Sequence, residues 1–351
     1  MKTLLNTEKF INEKLADKSI ESYAIIVGYG DDEWVFMSDD VNMDTYFDAA
    51  SIGKVFPTTA LALKAIDKGL LSLDDTVGKF YSDAPADKQN ITIKHLLTHT
   101  SGMIRKQFPA NVAERGRDSI AEFVLNTPCE YELGTMYAYC CSAILILGFI
   151  LEKVYGLTLD RAFEELLCKP LGLTRSKYNI AHDEPNAVNC NHDPNVTDIR
   201  WDDNNVKLMR GIPAANGGNF ITAGDLQKFV KALIAKDARL YSEEMFEISE
   251  RNYTEGLPVL DEKRGQENHG LGFTYVNENC YQARDLFPDG SIGHNGWSGQ
   301  SFYLYRPLGL YVIFLSNATR CTAKKYGHTD DDVVHNLRAD LHKAIKLDLG
   351  L

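Results

Sequence analysis

Strand-forming residues gather at the two ends of this chain and helix-forming ones fill its middle, a distribution that leaves few folds open to it. Near the N-terminus, Tyr23–Tyr29 and residues 34–37 are aromatic and β-branched runs around Gly30-Asp-Asp-Glu33, the pattern of a hairpin. Toward the C-terminus the pattern returns over residues 271–276, residues 302–306 and Leu310–Ser316, the last two joined by a turn at Pro307-Leu-Gly309. Between these ends the spacing of apolar residues predicts helices over Ile93–Leu97, 120–125, 143–155 with a stop at Gly156, and 159–168 with a stop before Pro170. Thr222-Ala-Gly-Asp225 reads as a capping box opening a helix through Leu233, and an amphipathic helix is expected over 331–345. The polar stretch 182–205 reads as a long loop. The expected fold is α+β: an antiparallel sheet flanked by helices and built from both chain ends, with an inserted all-helical lobe. Residues 1–80 plus 265–351 form the α/β lobe in this division and 81–264 the helical one, with a site in the groove between them.

After Thr45-Tyr-Phe-Asp-Ala-Ala50, apolar residues recur at Phe56, Ala60, Leu63 and Ile66 before Gly69, which predicts a core-facing helix with Ser51 at its N-terminus. Ser51-Ile-Gly-Lys54 then stacks a hydroxyl and an amine three residues apart on one face. A serine hydroxyl is a weak nucleophile until a neighbouring base takes its proton, and a desolvated lysine can become neutral enough to help. The helix N-terminus adds amide donors for a developing oxyanion. The same four residues also describe an ordinary helix with a solvated lysine, so the pattern needs company.

Charge and cysteine usage narrow the partners. A formal net charge of −12 opposes binding to phosphate backbones, and no basic run with interleaved aromatics offsets it, so nucleic acid is not expected. The first ten residues turn charged before an apolar signal core forms, and the longest apolar stretch, 143–151, is far shorter than the ~20 residues of a membrane-spanning helix. Seven cysteines without a C-x-x-C pair point to reduced thiols and a cytoplasmic setting. His95 and His99 have a metal-ligand spacing but no H-E-x-x-H, and His182, Asp183, His192, Asp193, Asp198, Asp202 and Asp203 read as a solvated loop, so neither a metal nor another cofactor is expected.

Further motifs follow Ser51-Ile-Gly-Lys54 in a recognisable order: Gly69-Leu-Leu-Ser-Leu-Asp-Asp75, Thr92-Ile-Lys-His-Leu-Leu-Thr-His-Thr-Ser-Gly102, Leu133-Gly-Thr-Met-Tyr-Ala-Tyr139, Gly217-Gly-Asn-Phe-Ile-Thr-Ala-Gly-Asp-Leu226 and Gly293-His-Asn-Gly-Trp-Ser-Gly299. Over nearly its whole length the chain resembles the serine β-lactamase and penicillin-binding-protein superfamily, most of all the class C branch with its D,D-peptidases, D-aminopeptidases and family VIII esterases. The resemblance implies that Ser51 is the nucleophile, Lys54 its helper and Tyr139 a proton shuttle. It further implies that His294 stands in the third motif beside Asn295 and Gly296, lining the substrate, and that the amides of Ser51 and Trp297 form an oxyanion hole. Where the family's second motif is Y-x-N, this chain has Tyr139-Cys140-Cys141, so Cys141 occupies the place of an amide-holding asparagine. Tyr137 is a rival shuttle through a two-residue slip, and Tyr275-Val-Asn277, the literal match to Y-x-N, lies in a predicted strand.

Three functions compete. An esterase or amidase acting on small acyl substrates is put first, because the amide-binding asparagine is missing; a β-lactamase or D,D-peptidase acting on a lactam or peptide comes second. The third is a catalytically idle binding or sensor protein of the same fold, since a fold alone guarantees no activity. Oligomeric state is left open by the sequence.

Overall fold

The computed structural model describes residues 2–104, 116–181, 183–193, 195, 212–260, 268–327 and 331–351. Half of the polar stretch 182–205 therefore lies outside the described residues, His182, Asp198, Asp202 and Asp203 included.

The strand-forming ends do meet. A seven-stranded, wholly antiparallel sheet has the order β2-β1-β10-β9-β8-β7-β6. Its members are β1 (Tyr23–Tyr29), β2 (Asp32–Met37), β6 (Asn268–His269), β7 (Thr274–Tyr275), β8 (Ile292–Asn295), β9 (Ser301–Tyr305) and β10 (Leu310–Ser316). Tyr23 stands opposite Ser316 and Gly28 opposite Tyr311, so the first strand is zipped to the last along its length. Alternation along these strands divides the core. Ile25, Val27, Val312 and Phe314 face the terminal helices Leu5–Ala16 and Asp331–Leu349 through Phe10, Leu337 and Leu341. Ala24, Ile26, Ile313 and Leu315 face the interior helices instead. Tyr275 of the literal Y-x-N triplet is a strand residue paired with Ile292.

Three sequence expectations are corrected here. The inserted segment is not wholly helical, because β3 (Tyr46–Asp48), β4 (Lys177–Tyr178) and β5 (Asn219–Thr222) form a second sheet of order β3-β5-β4. The helix expected from Phe56 starts later: Ala50–Lys54 is a 3₁₀ turn, Phe56 leaves helical geometry at φ −117°, ψ 94°, and the α-helix proper is Ala60–Asp67. Pro57 accounts for this, since it lacks an N–H and disfavours helical geometry at the residue before it. Conversely, the helical run from Leu159 passes through Pro170 and ends at left-handed Gly172, because Pro170 falls where a short new segment begins and needs no amide donor.

The helix Cys141–Tyr155 is buried around its whole circumference from Ser142 to Leu151 and ends on left-handed Gly156. Among the described residues no single helix is long and apolar enough to cross a membrane; this one and Leu159–Leu171 pass such a test only as a pair bent by 71°. Thr222 caps the helix Ala223–Ile234, accepting from Asp225 N, but Asp225 does not return the bond as a capping box would. Its carboxylate accepts instead from the backbone of Thr174, Arg175 and Ser176, which ties that segment down. The helix Ala223–Ile234 itself packs against β1, β9 and β10 of the large sheet.

Candidate active site

Ser51 and Lys54 sit on the 3₁₀ turn, where residues three apart eclipse one another more closely than on an α-helix. Lys54 Nζ donates to Ser51 Oγ at 2.9 Å and to the carbonyl of Asn216, also at 2.9 Å. The turn is pressed against 214–219: a Cβ on Gly53 would stand 2.9 Å from the Gly217 α-carbon, so only glycine allows this approach. Thr58 Oγ1 donates to Ala215 O, and Asn219 Nδ2 to Phe56 O, at 2.7 and 2.9 Å. The lysine is thus built into the floor of the site, 1% exposed, while Ser51 stays half-buried.

Tyr139 lies over this amine, with Lys54 Nζ 5.0 Å from its ring centre. It is held by His99, whose ring packs on it at 4.6 Å, whose Nδ1 accepts from Cys140 N at 3.2 Å and whose carbonyl accepts from Ala138 N at 2.9 Å. His95, by contrast, serves its own helix, closing a capping box with Thr92. Tyr137 is buried, bridges to Val259, and its ring faces His269 at 5.5 Å. Cys141 opens the helix Cys141–Tyr155. Burial works against the Lys54 ammonium, but negative charge and hydrogen bonding at Cys141 and Tyr139 outweigh it and hold the group above the ordinary lysine value of 10.5.

The third motif arrives on β8. His294 Nδ1 lies 2.8 Å from Asn295 O, and since a carbonyl only accepts, Nδ1 carries the hydrogen and a neutral ring keeps Nε2 as acceptor. The His294 ring is 6.2 Å from that of Tyr139. Asn295 turns its amide away to Tyr303 Oη, 2.7 Å distant. Gly296 lies so close to the nucleophile segment that an added Cβ would be 2.8 Å from Ala49 O. Ser298 Oγ and Gln300 Nε2 donate to Asp48 O at 3.1 and 2.9 Å, hooking the turn after β8 onto the chain just before Ser51. This holds the turn that carries Trp297 against the segment that carries Ser51. Ser51, Lys54, Tyr139, Cys141, His294, Gly296 and Trp297 are gathered here.

Two contributors escaped the sequence. The Asn216 carbonyl on Lys54 is a backbone group and has no signature; its nearest hint is the glycine pair that follows it. His192, expected on a solvated loop, packs edge-on against Trp297 with ring centres 4.9 Å apart. Arg320 donates to Asn191 O and Asp193 O at 3.0 and 3.1 Å, one on each side of His192, while neighbouring Thr319 bonds Trp297 O. Among the described residues no group of three histidine, cysteine or acidic side chains is placed to hold a metal ion.

Comparison with known proteins agrees with this fold. A D,D-peptidase-like relative, a D-alanyl-D-alanine carboxypeptidase-like protein of Escherichia coli (strain K12), is 28% identical over 312 residues, covering 78% of this chain and 69% of that one. The octameric penicillin-binding protein homologue of Pyrococcus abyssi has a TM-score of 0.69 at 23% identity over 92% of this chain and 77% of that one. EstCE1, a hydrolase with promiscuous acyltransferase activity, has a TM-score of 0.75 at 17% identity over 97% of each chain. The model of the Beta-lactamase family matches residues 7–332, and with nearly its whole length accounted for in this way the chain belongs to that family of serine β-lactamase and penicillin-binding-protein folds.

Proposed function

We propose that this protein is a serine hydrolase that forms an acyl-enzyme on Ser51 and cleaves ester or amide bonds of small acyl substrates. The observation that carries the reading is the Lys54 Nζ to Ser51 Oγ bond of 2.9 Å beneath the ring of Tyr139. Tyr139, whose ring lies over the same amine, is our assignment for the group that takes the serine's proton. In this assignment Tyr139 accepts only when its oxygen carries no proton, and an ammonium on Lys54 beside it favours that negative charge.

Oγ then bonds to the substrate carbonyl carbon while its proton passes to Tyr139. The negative charge on the carbonyl oxygen is met by the amides of Ser51 and Trp297. Collapse breaks the bond to the alcohol or amine, which takes the proton back from Tyr139, directly or through Nε2 of His294. Water repeats the sequence on the acyl-enzyme, releasing the acid and restoring Ser51. The half-exposed Cys141 favours simple acyl groups, because a thiol is a weak hydrogen-bond partner for a substrate amide.

A second reading, a β-lactamase or D,D-peptidase, is favoured by the Escherichia coli relative. The free thiols at all seven cysteines support a reducing, cytoplasmic setting, which weighs toward the first. Intact-mass analysis after a fluorophosphonate should show one adduct on the wild type and none on Ser51→Ala. An adduct on the Ala variant at undiminished rate would place the nucleophile elsewhere. A panel of short-chain esters, acyl amides and penicillins ranks the two readings by kcat/KM.

A further inference from the structure

We propose that Arg338, on the C-terminal helix and remote from the groove in sequence, is a positioning residue for the oxyanion hole, acting through the peptide group between Gly296 and Trp297. The inference rests on the assignment of the Trp297 amide to that hole. Arg338 is 2% exposed and among the largest fully buried side chains. Its Nη2 donates to Gly296 O at 2.5 Å and to Gln300 O at 3.0 Å, and its Nη1 to Gln282 Oε1 at 3.0 Å. Each of these three oxygens is an acceptor whose direction the guanidinium helps to fix.

Those two carbonyls are the two ends of one turn. Gly296 N also donates to Gln300 O at 2.7 Å, and Gly299 N to Gly296 O at 3.2 Å, closing the loop that carries Trp297 and Ser298 between them. A peptide group is planar, with its N–H pointing opposite to its C=O. Pinning Gly296 O therefore fixes the direction in which the Trp297 N–H points. A charge-assisted bond of this kind also draws electron density toward the oxygen and makes the N–H at the other edge a stronger donor. The same turn is hooked to Asp48 O through Ser298 and Gln300, so a guanidinium behind the sheet governs both the aim and the strength of a donor in front of it.

The test uses the full chain as Arg338→Met, Arg338→Lys and Gln282→Leu, with circular dichroism to select folded variants. Removing an oxyanion donor costs about 10²- to 10³-fold in kcat, and weakening one through its own peptide should cost less, roughly 10- to 10²-fold for Arg338→Met, with KM nearly unchanged. Arg338→Lys, which keeps the charge and loses the fork, should recover part of the loss. Should Arg338→Met not fold, Gln282→Leu, which frees one arm of the fork, carries the same comparison. The decisive readout is the infrared carbonyl stretch of the acyl-enzyme formed from a p-nitrophenyl ester labelled with carbon-13 at its carbonyl. Weaker donation from Trp297 moves that band to higher wavenumber, which a purely structural role would not do. A band and a kcat unchanged in a folded Arg338→Met or Gln282→Leu variant overturn the proposal alone, whereas a wild type that yields no acyl adduct on Ser51 overturns the reading beneath it as well.

Discussion

Substituting alanine at Gly296 tests whether the contact between the β8 turn and the Ser51 segment is what assembles the site. An added methyl would meet Ala49 O at 2.8 Å and Gln300 Cβ at 3.1 Å. Carbon against carbonyl oxygen ordinarily rests at roughly 3.3–3.6 Å, so the turn must retreat by about 0.5 Å. Gln300 blocks the opposite direction, and Ala49 is two residues from Ser51, so the separation between the Trp297 and Ser51 amides has to change. An oxyanion donor works over a window of only about 0.4 Å, so one of the two should fall outside it, costing roughly 10²- to 10³-fold in kcat. Stability should drop by about 1–3 kcal/mol, the usual penalty of an extra methyl in a packed place. Steady-state hydrolysis of a p-nitrophenyl ester separates kcat from KM, and urea unfolding measures the stability. A folded Gly296→Ala variant with kcat within about threefold of wild type would mean that this turn does not supply a donor, and the assignment of Trp297 would fall.

Other expected outcomes follow from the same geometry. Tyr139→Phe should reduce kcat/KM by roughly 10²- to 10⁴-fold, the span for one general acid-base group, while Tyr137→Phe costs far less; the opposite order would assign the shuttle to Tyr137. Cys141→Asn should shift the ratio of kcat/KM values toward amide-bearing penicillins or acyl-peptides by about 10- to 10²-fold, with esters changed less, and a wild type already faster on penicillins than on short esters would refute the ester-leaning reading. Burial pushes His342 down to about 4 and His269 to about 3, both from 6.5. An unfolded imidazole takes up a proton below about 6.5 that the folded one refuses, so each residue lowers stability as pH falls from 6.5 toward 4, by about 1.4 kcal/mol per pH unit, and has no such effect above 6.5. Urea unfolding of wild type and His342→Gln between pH 4 and 7 should show the slope reduced in the variant; equal slopes would refute neutral burial of His342.

The architecture was readable wherever a segment carried its own periodicity. The hairpin of β1 and β2, the pair β9 and β10, and the helix Cys141–Tyr155 all show apolar spacing that matches their burial. The small sheet was not readable, because β3 and β4 have three and two residues and find their partner β5 far along the chain, too short a run for alternation to register. In the site, Ser51, Lys54, Tyr139 and His294 stood out as reactive side chains in a known order. The Asn216 carbonyl, the carbonyl and ring of His99 that seat Tyr139, and the pairing of His192 with Trp297 did not. Their contributions depend on which backbone or ring edge folding brings near, not on residue type at a fixed spacing. Arg338 is the extreme case, a charged residue on an amphipathic helix that sequence alone would place in solvent.

The pairing of Tyr23 with Ser316 has a consequence for how the molecule comes into being. On a ribosome Ser51 is made before the strand that β1 zips onto, the turn that carries Trp297 and the helix that carries Arg338. Closing so long a loop is entropically slow, and sheets dominated by such distant partners fold on the slower end of the range. Until those segments are made, Ser51 and Lys54 lack the packing partners that β8 and its turn provide. The hairpin of β1 and β2 meanwhile waits with the β10 edge of β1 open, a stage at which chaperone capture or mispairing between neighbouring nascent chains competes with completion.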